Sequence, residues 1–134
     1  MRRMLFLLVP ALALASFAIP GNPHFVGGIT VTRTGDTLTV SGKEAGLGNE
    51  TQVHIVLTVS ARCVNPGGKK PKAGNKQSFT AEGVFPVQNG KALFTLSVTP
   101  TFQPGCTPPM TVEFSNVSVC DVDHDVCKSF PGTF

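Results

Sequence analysis

Neither tryptophan nor tyrosine occurs in the 134 residues, and only 14% of them carry a charge. Set against 41% apolar residues, so little charge excludes a disordered chain, and the length fits one domain preceded by a leader. An excess of charge of one sign is missing too. Lys and Arg total 11 against 8 acids, and Arg2 and Arg3 lie in a segment read below as removed, which leaves nine bases against eight acids. Non-specific nucleic-acid binding needs several phosphate contacts from a clearly basic surface, so nucleic acid is excluded as a partner. A strongly acidic, solvating protein is excluded by the same balance. From His24 onward no apolar residues recur at helical spacing, which excludes a helical domain, and no second long apolar run exists, which excludes a membrane span in the mature chain.

The exception to this restraint is the beginning, MRRMLFLLVPALALASFA: two arginines, an almost unbroken apolar stretch from Leu5 to Leu14, then small residues ending Ser16-Phe17-Ala18. A charged start, a short apolar centre and small residues before a cleavage point define a secretory signal peptide. An apolar stretch of about 15 residues broken by Pro10 falls short of the ~20 that span a bilayer. Residues 1–18 are therefore read as a cleaved leader and residues 19–134 as one exported domain, secreted to the extracellular side.

What is present in the rest of the chain is alternation of period two. Val53, Ile55, Leu57, Val59, Ala61 and Cys63 share one strand face, with Gln52, His54, Thr58, Ser60 and Arg62 opposite. Phe79, Ala81, Gly83, Phe85 and Val87 repeat the pattern; Asn89-Gly90 supplies a turn that needs positive φ at both positions; Ala92, Phe94, Leu96 and Val98 face inward on the return. The runs Phe25–Arg33 and Thr37–Lys43 flank Thr34-Gly35-Asp36 as another hairpin. Met110, Val112 and Phe114 share one parity while Val117 and Val119 share the other, so a β-bulge near Ser115-Asn116 is expected to return both sets to the core. With a last strand at Asp125–Phe130 the total reaches about seven. The fold class is thus all-β, an antiparallel two-sheet sandwich of immunoglobulin-like type, with a small closed barrel as the alternative. The missing tryptophan removes a hallmark of true immunoglobulin domains, so the architecture is expected and not the family.

Four cysteines, Cys63, Cys106, Cys120 and Cys127, imply two disulfides in an exported chain; without a CxxC pair a metal knuckle is disfavoured. Cys63 lies on the buried face of its strand, whereas Cys120 is out of phase with Val117 and Val119 and points outward. The expected pairs are Cys63 with Cys106 and Cys120 with Cys127, contributing about 4 and about 2.5 kcal/mol by loop closure.

Two runs are distinctive: KEAGLGN, from Lys43 to Asn49, and CVNPGGKKPKAGNK, from Cys63 to Lys76. Over roughly Phe25 to Val119 the chain resembles a group of small exported bacterial proteins. The resemblance implies an exported, compact all-β protein from a bacterium and brings no established activity with it. In that group one cysteine pair matches Cys63 and Cys106, and the pair Cys120 and Cys127 departs from the pattern.

Chemistry-bearing constellations are few. Lys69, Lys70, Lys72 and Lys76, interleaved with glycine and proline, are the candidates for holding an anionic ligand such as a teichoic acid, a polysaccharide or a phospholipid headgroup. KEAGLGN is read as structural: Gly42, Gly46 and Gly48 permit positive φ and turn the chain between sheets while Leu47 plugs the core. Asp121, Asp123 and Asp125 imitate the opening of a calcium loop, but Val126 stands where glycine is required and Gly132 where the bidentate glutamate belongs, so a solvated acidic tip is expected and no metal or other cofactor. His24, His54 and His124 neighbour no nucleophile; His54 with Glu44 or Glu50 is the best of poor acid–base pairs, and no enzyme is expected. Two function classes remain: a secreted or cell-surface binding module whose partner is an anionic envelope polymer or another extracellular protein, and a small protease inhibitor presenting the braced loop Thr101–Pro109 around Cys106.

Overall fold

A computed structural model describes residues 21–67 and 75–134. The leader (residues 1–18) and the loop lysines Lys69, Lys70 and Lys72 lie outside the described residues. Seven strands follow one another: β1 (His24–Thr34), β2 (Thr37–Ala45), β3 (Gln52–Val64), β4 (Gln77–Pro86), β5 (Ala92–Val98), β6 (Thr111–Asp121) and β7 (Val126–Thr133). They form a three-stranded sheet in the order β1-β2-β5 and a four-stranded sheet in the order β4-β3-β6-β7, every pairing antiparallel. Neither sheet closes on itself, so the molecule is a sandwich and not the barrel.

Central β3 shows why. Its inward Val53, Ile55, Leu57, Val59, Ala61 and Cys63 are all buried, because β-branched and aliphatic side chains on one face of a pleated strand can leave water together only against a second sheet. Leu38 and Val40 from β2 and Phe94, Leu96 and Val98 from β5 meet them from the other layer, with Phe114, Val117 and Val119 from β6 alongside. At roughly 1.5–3 kcal/mol for each such side chain fully buried, this layer is what offsets the cost of ordering the chain.

The bulge between Val112/Phe114 and Val117/Val119 is present. The β6–β7 register shifts between Ser115 and Val117, Asn116 takes φ 51°, and Phe114, Val117 and Val119 all lie at the core. Both disulfides form as parity requires: Cys63–Cys106 closes a sequence separation of 43, and Cys120–Cys127 bridges directly opposed residues of β6 and β7. The last strand runs to Thr133, longer than the alternation indicated.

One hairpin is corrected. Asn89 and Gly90 do form a tight turn, at φ 53° and 73°, closed by mutual hydrogen bonds between Gln88 and Lys91. The flanking strands then part: β4 pairs with β3 in one sheet and β5 with β2 in the other. The turn is the seam between the layers, and Gly90, in contact with Gly48 and Leu47, holds it against the β2–β3 connection. In that connection Gly46 at φ 76° lies so close to Asn22 that a Cβ would meet the Asn22 carbonyl at 2.0 Å, and Leu47 is buried, as the structural reading of KEAGLGN requires. Gly42 differs; it is extended and packs under Phe94 and Ile29.

The register leaves the sandwich with two distinct ends. At one, the end of β3 meets the starts of β4 and β6, closed by Cys63–Cys106 and by Phe102, which is buried edge-on against Phe79. At the other, the end of β2 and the end of β6 bring charged side chains inward.

Candidate functional site

Glu44 has the parity of Leu38 and Val40, so its side chain enters the core from β2. Asp121 has the parity of Val117 and Val119, so it enters from β6 in the facing sheet. Both are fully buried, at 0% exposure, and they face one another across the sandwich. The turn between β6 and β7 then folds over them. Asp121 Oδ1 accepts hydrogen bonds from the backbone amides of Asp123 (2.9 Å) and His124 (3.2 Å), which sets the turn and swings the His124 ring back onto Asp121, with Nδ1 2.5 Å from Oδ2. The other ring nitrogen, Nε2, lies 2.7 Å from Oε1 of Glu50 in the β2–β3 connection. The turn is pinned to β3 as well: the His54 amide donates to Asp123 Oδ2 and the Val122 amide to the His54 carbonyl.

Glu44 is the anomaly. No amide, hydroxyl or other donor reaches either of its carboxyl oxygens, which face only the Asp121 carboxyl, although a buried polar group without a partner costs about 1–3 kcal/mol, more if charged. Burial, with the Asp121 carboxylate opposite, pushes its pKa up to about 8, so at neutral pH the isolated group is held largely protonated. Burial would raise Asp121 too, but the facing Glu44 carboxyl, the His124 ring and the Asp123 amide outweigh it and hold Asp121 below the usual carboxylate range. For His124 burial disfavours the charged ring; Asp121 and Glu50 outweigh that and raise its pKa above 6.5. The arrangement is an imidazole between two carboxylates with a third carboxyl beneath it, its solvent side marked by Glu50. Side chains of this kind can share protons, or together hold a cation.

The sequence expectations land unevenly here. The acidic tip is not solvated as a unit: Asp123 and Asp125 are exposed, but Asp121 is buried because it still belongs to the inward register of β6. His54 does not meet Glu44 or Glu50. It sits on the outer face of β3 and its Nε2 lies 3.1 Å from Glu82 of neighbouring β4. His124 is the histidine that reaches Glu50. Lys76 is exposed just before β4, at the end of the sandwich away from Glu44. Cys63, Cys106, Cys120 and Cys127 are all consumed in disulfides. Glu44 and Asp121 were detectable in the alternation itself, by continuing the inward parity two positions past Val40 and one past Val119; the Glu50–His124 contact, 74 residues apart, leaves no local signal.

A second surface stands out on the outer face of the three-stranded sheet. Thr30, Thr32 and Thr34 on β1, Thr37, Thr39 and Ser41 on β2, and Thr95, Ser97 and Thr99 at β5 fall into three cross-strand rows, with hydroxyl pairs Thr37–Thr99, Thr39–Ser97 and Ser41–Thr95 at 2.7, 2.8 and 3.1 Å. The strands carry no carboxylate on this face, and it runs into an open cleft of about 400 Å³ lined by Lys43, Pro86, Gln88, Lys91 and Leu93, with Leu93 72% exposed. Compared with protein-family models, with curated proteins and with solved structures, the chain matches none.

Proposed function

We propose that the chain is an exported, non-catalytic binding module of the extracellular side or cell surface, and that its ligand is an anionic polymer of the cell envelope, held on the outer face of the β1-β2-β5 sheet. The observation that carries this reading is the carboxylate-free hydroxyl face leading into the Lys43 and Lys91 cleft. Rows of hydroxyls on a rigid sheet complement the hydroxyls of a polysaccharide, and two ammonium groups beside an exposed leucine suit its anionic substituents. Two disulfides with no free thiol suit an oxidising compartment, and no helix among the described residues is long and apolar enough to cross a membrane. The charged, apolar and small-residue pattern of residues 1–18 supports the same reading.

The inhibitor reading draws less support. The Thr101–Pro109 loop turns Phe102 into the core and closes a turn from the Thr107 carbonyl to the Met110 amide, so it does not present an extended strand to a protease cleft.

Co-sedimentation with purified cell-wall polymer tests the proposal. Retention is expected to fall as salt rises and to drop at least tenfold in the double variant Lys43→Glu, Lys91→Glu. Equal loss on replacing Lys69, Lys70, Lys72 and Lys76 by Gln, with the Lys43 and Lys91 variant unaffected, would overturn the assignment to the Lys43 and Lys91 cleft.

A further inference from the structure

We infer that Glu44, Asp121 and His124 form a binding site for a divalent first-row cation of the zinc class, with Glu50 orienting the histidine from behind. One ligand atom from each of the three residues lies within 4.8 Å of the others, and the three come from both sheets and the turn that caps them. Carboxylate clusters on surfaces are common and carry no such meaning. This one is different in two respects: Glu44 is completely buried with both oxygens unpartnered, aimed at Asp121, and the third member is an imidazole.

The chemistry of the donor set selects the ion. Calcium takes six to eight oxygen ligands and magnesium a near-ideal octahedron of oxygens, whereas two carboxylates and an imidazole suit zinc and its first-row neighbours. A tetrahedral shell with bonds of ~2.0–2.1 Å separates its ligand atoms by about 3.4 Å, so a pair as far apart as 4.8 Å must close by about 1.4 Å and the 2.5 Å Nδ1–Oδ2 pair must open by about 0.9 Å. Side-chain rotation supplies shifts of that size. A dication also removes the anomaly at Glu44, since it gives the buried carboxyl oxygens a partner that no donor of the protein supplies.

Glu50 completes the arrangement. With Nδ1 turned towards Asp121 and Glu44, the Nε2–H donates to Glu50 Oε1, which fixes the tautomer and ring angle as outer carboxylates do at metal-bound histidines. Glu50 is then a positioning residue and not a ligand. The Glu50 side chain is 44% exposed and that of His124 21%, so the ion enters from their side and a water molecule can fill the remaining position.

The test uses the mature, disulfide-intact chain after treatment with a chelator and titrates it calorimetrically with zinc sulfate. One saturable equivalent is expected. Glu44→Gln and His124→Gln should each weaken binding at least a hundredfold, and Glu50→Gln about tenfold. Asp125→Asn, which alters a tip carboxylate outside the site, should leave it unchanged. X-ray absorption of the zinc-loaded protein should show oxygen and nitrogen neighbours with a single imidazole. Should Glu44→Gln lose its strand spectrum by circular dichroism, the exposed Glu50→Gln and the absorption spectrum still decide. No saturable binding, wild-type affinity in His124→Gln, an absorption spectrum without imidazole, or displacement of zinc by equimolar calcium would each overturn the inference.

Discussion

The two ends of this sandwich are closed by opposite means. Where β3 ends and β6 begins, a disulfide between Cys63 and Cys106 and an edge-on pair of phenylalanines, Phe79 and Phe102 at 5.9 Å, seal the core without burying charge. Where β2 and β6 end, the same inward register continues past the last apolar residue and places Glu44 and Asp121 where valine or leucine would have served. Replacing a buried ionic cluster by apolar residues of similar size is often neutral or stabilising, so packing alone does not account for the choice. The apolar end shows that this chain can close a sandwich cheaply; the polar end departs from that solution, and departures of this kind concentrate at functional sites.

The contrast can be tested from its largest expected effect downward. Replacing Cys63 and Cys106 together by Ala should lower the unfolding free energy by about 4 kcal/mol in urea titrations, because the long loop that they close is released in the unfolded chain. Replacing Cys120 and Cys127 should cost about 2.5 kcal/mol or less, since this bridge spans a separation of only 7 between residues that the β6–β7 ladder already holds opposite one another. A larger loss from the second pair than from the first would reverse the ranking of the two ends.

Acidity gives a smaller and more pointed comparison. In the metal-free chain Glu44 titrates at about 8 instead of 4.5, so its contribution to stability is complete below pH 4.5 and is lost as pH rises through 8. His124, raised above 6.5, loses its contribution in the same direction, while Asp121, lowered from 3.8, loses its own only as pH falls below that value. Metal-free protein should therefore be most stable near pH 4.5 and should lose stability steadily from there up to about pH 8. Glu44→Gln should flatten the alkaline side of a thermal-melt profile; an unchanged slope in that variant would remove Glu44 as its source.

How much of this is legible in the chain follows from what alternation encodes. Period two assigns faces, so the strands, the bulge at Asn116 and both cysteine pairs can be read from the amino-acid sequence alone: Cys63 inward, Cys120 outward. It says nothing about which sheet a strand joins. Asn89-Gly90 is a tight turn locally, yet β4 and β5 separate after it because β3 and β2 offer each a longer ladder. The site is half legible. Continuing the parity of Val117 and Val119 places Asp121 inside, but an aspartate beside Val122 and Asp123 has the composition of a turn, and in the protein register outweighs composition. That Glu44 waits opposite it depends on how the two layers superpose, which no local pattern contains.

The central claim, that the polar end is a cation site and not merely a costly way to close the core, is tested most directly by melting the chelator-treated protein at neutral pH with and without zinc. At free zinc one hundred times the dissociation constant, binding to the folded state alone stabilises it by about 2.7 kcal/mol, which for a domain of this size raises the melting temperature by roughly 10 °C. The wild-type chain should show that rise and Glu44→Gln should not. A wild-type melting temperature unmoved by zinc, or an equal rise in both proteins, would contradict it.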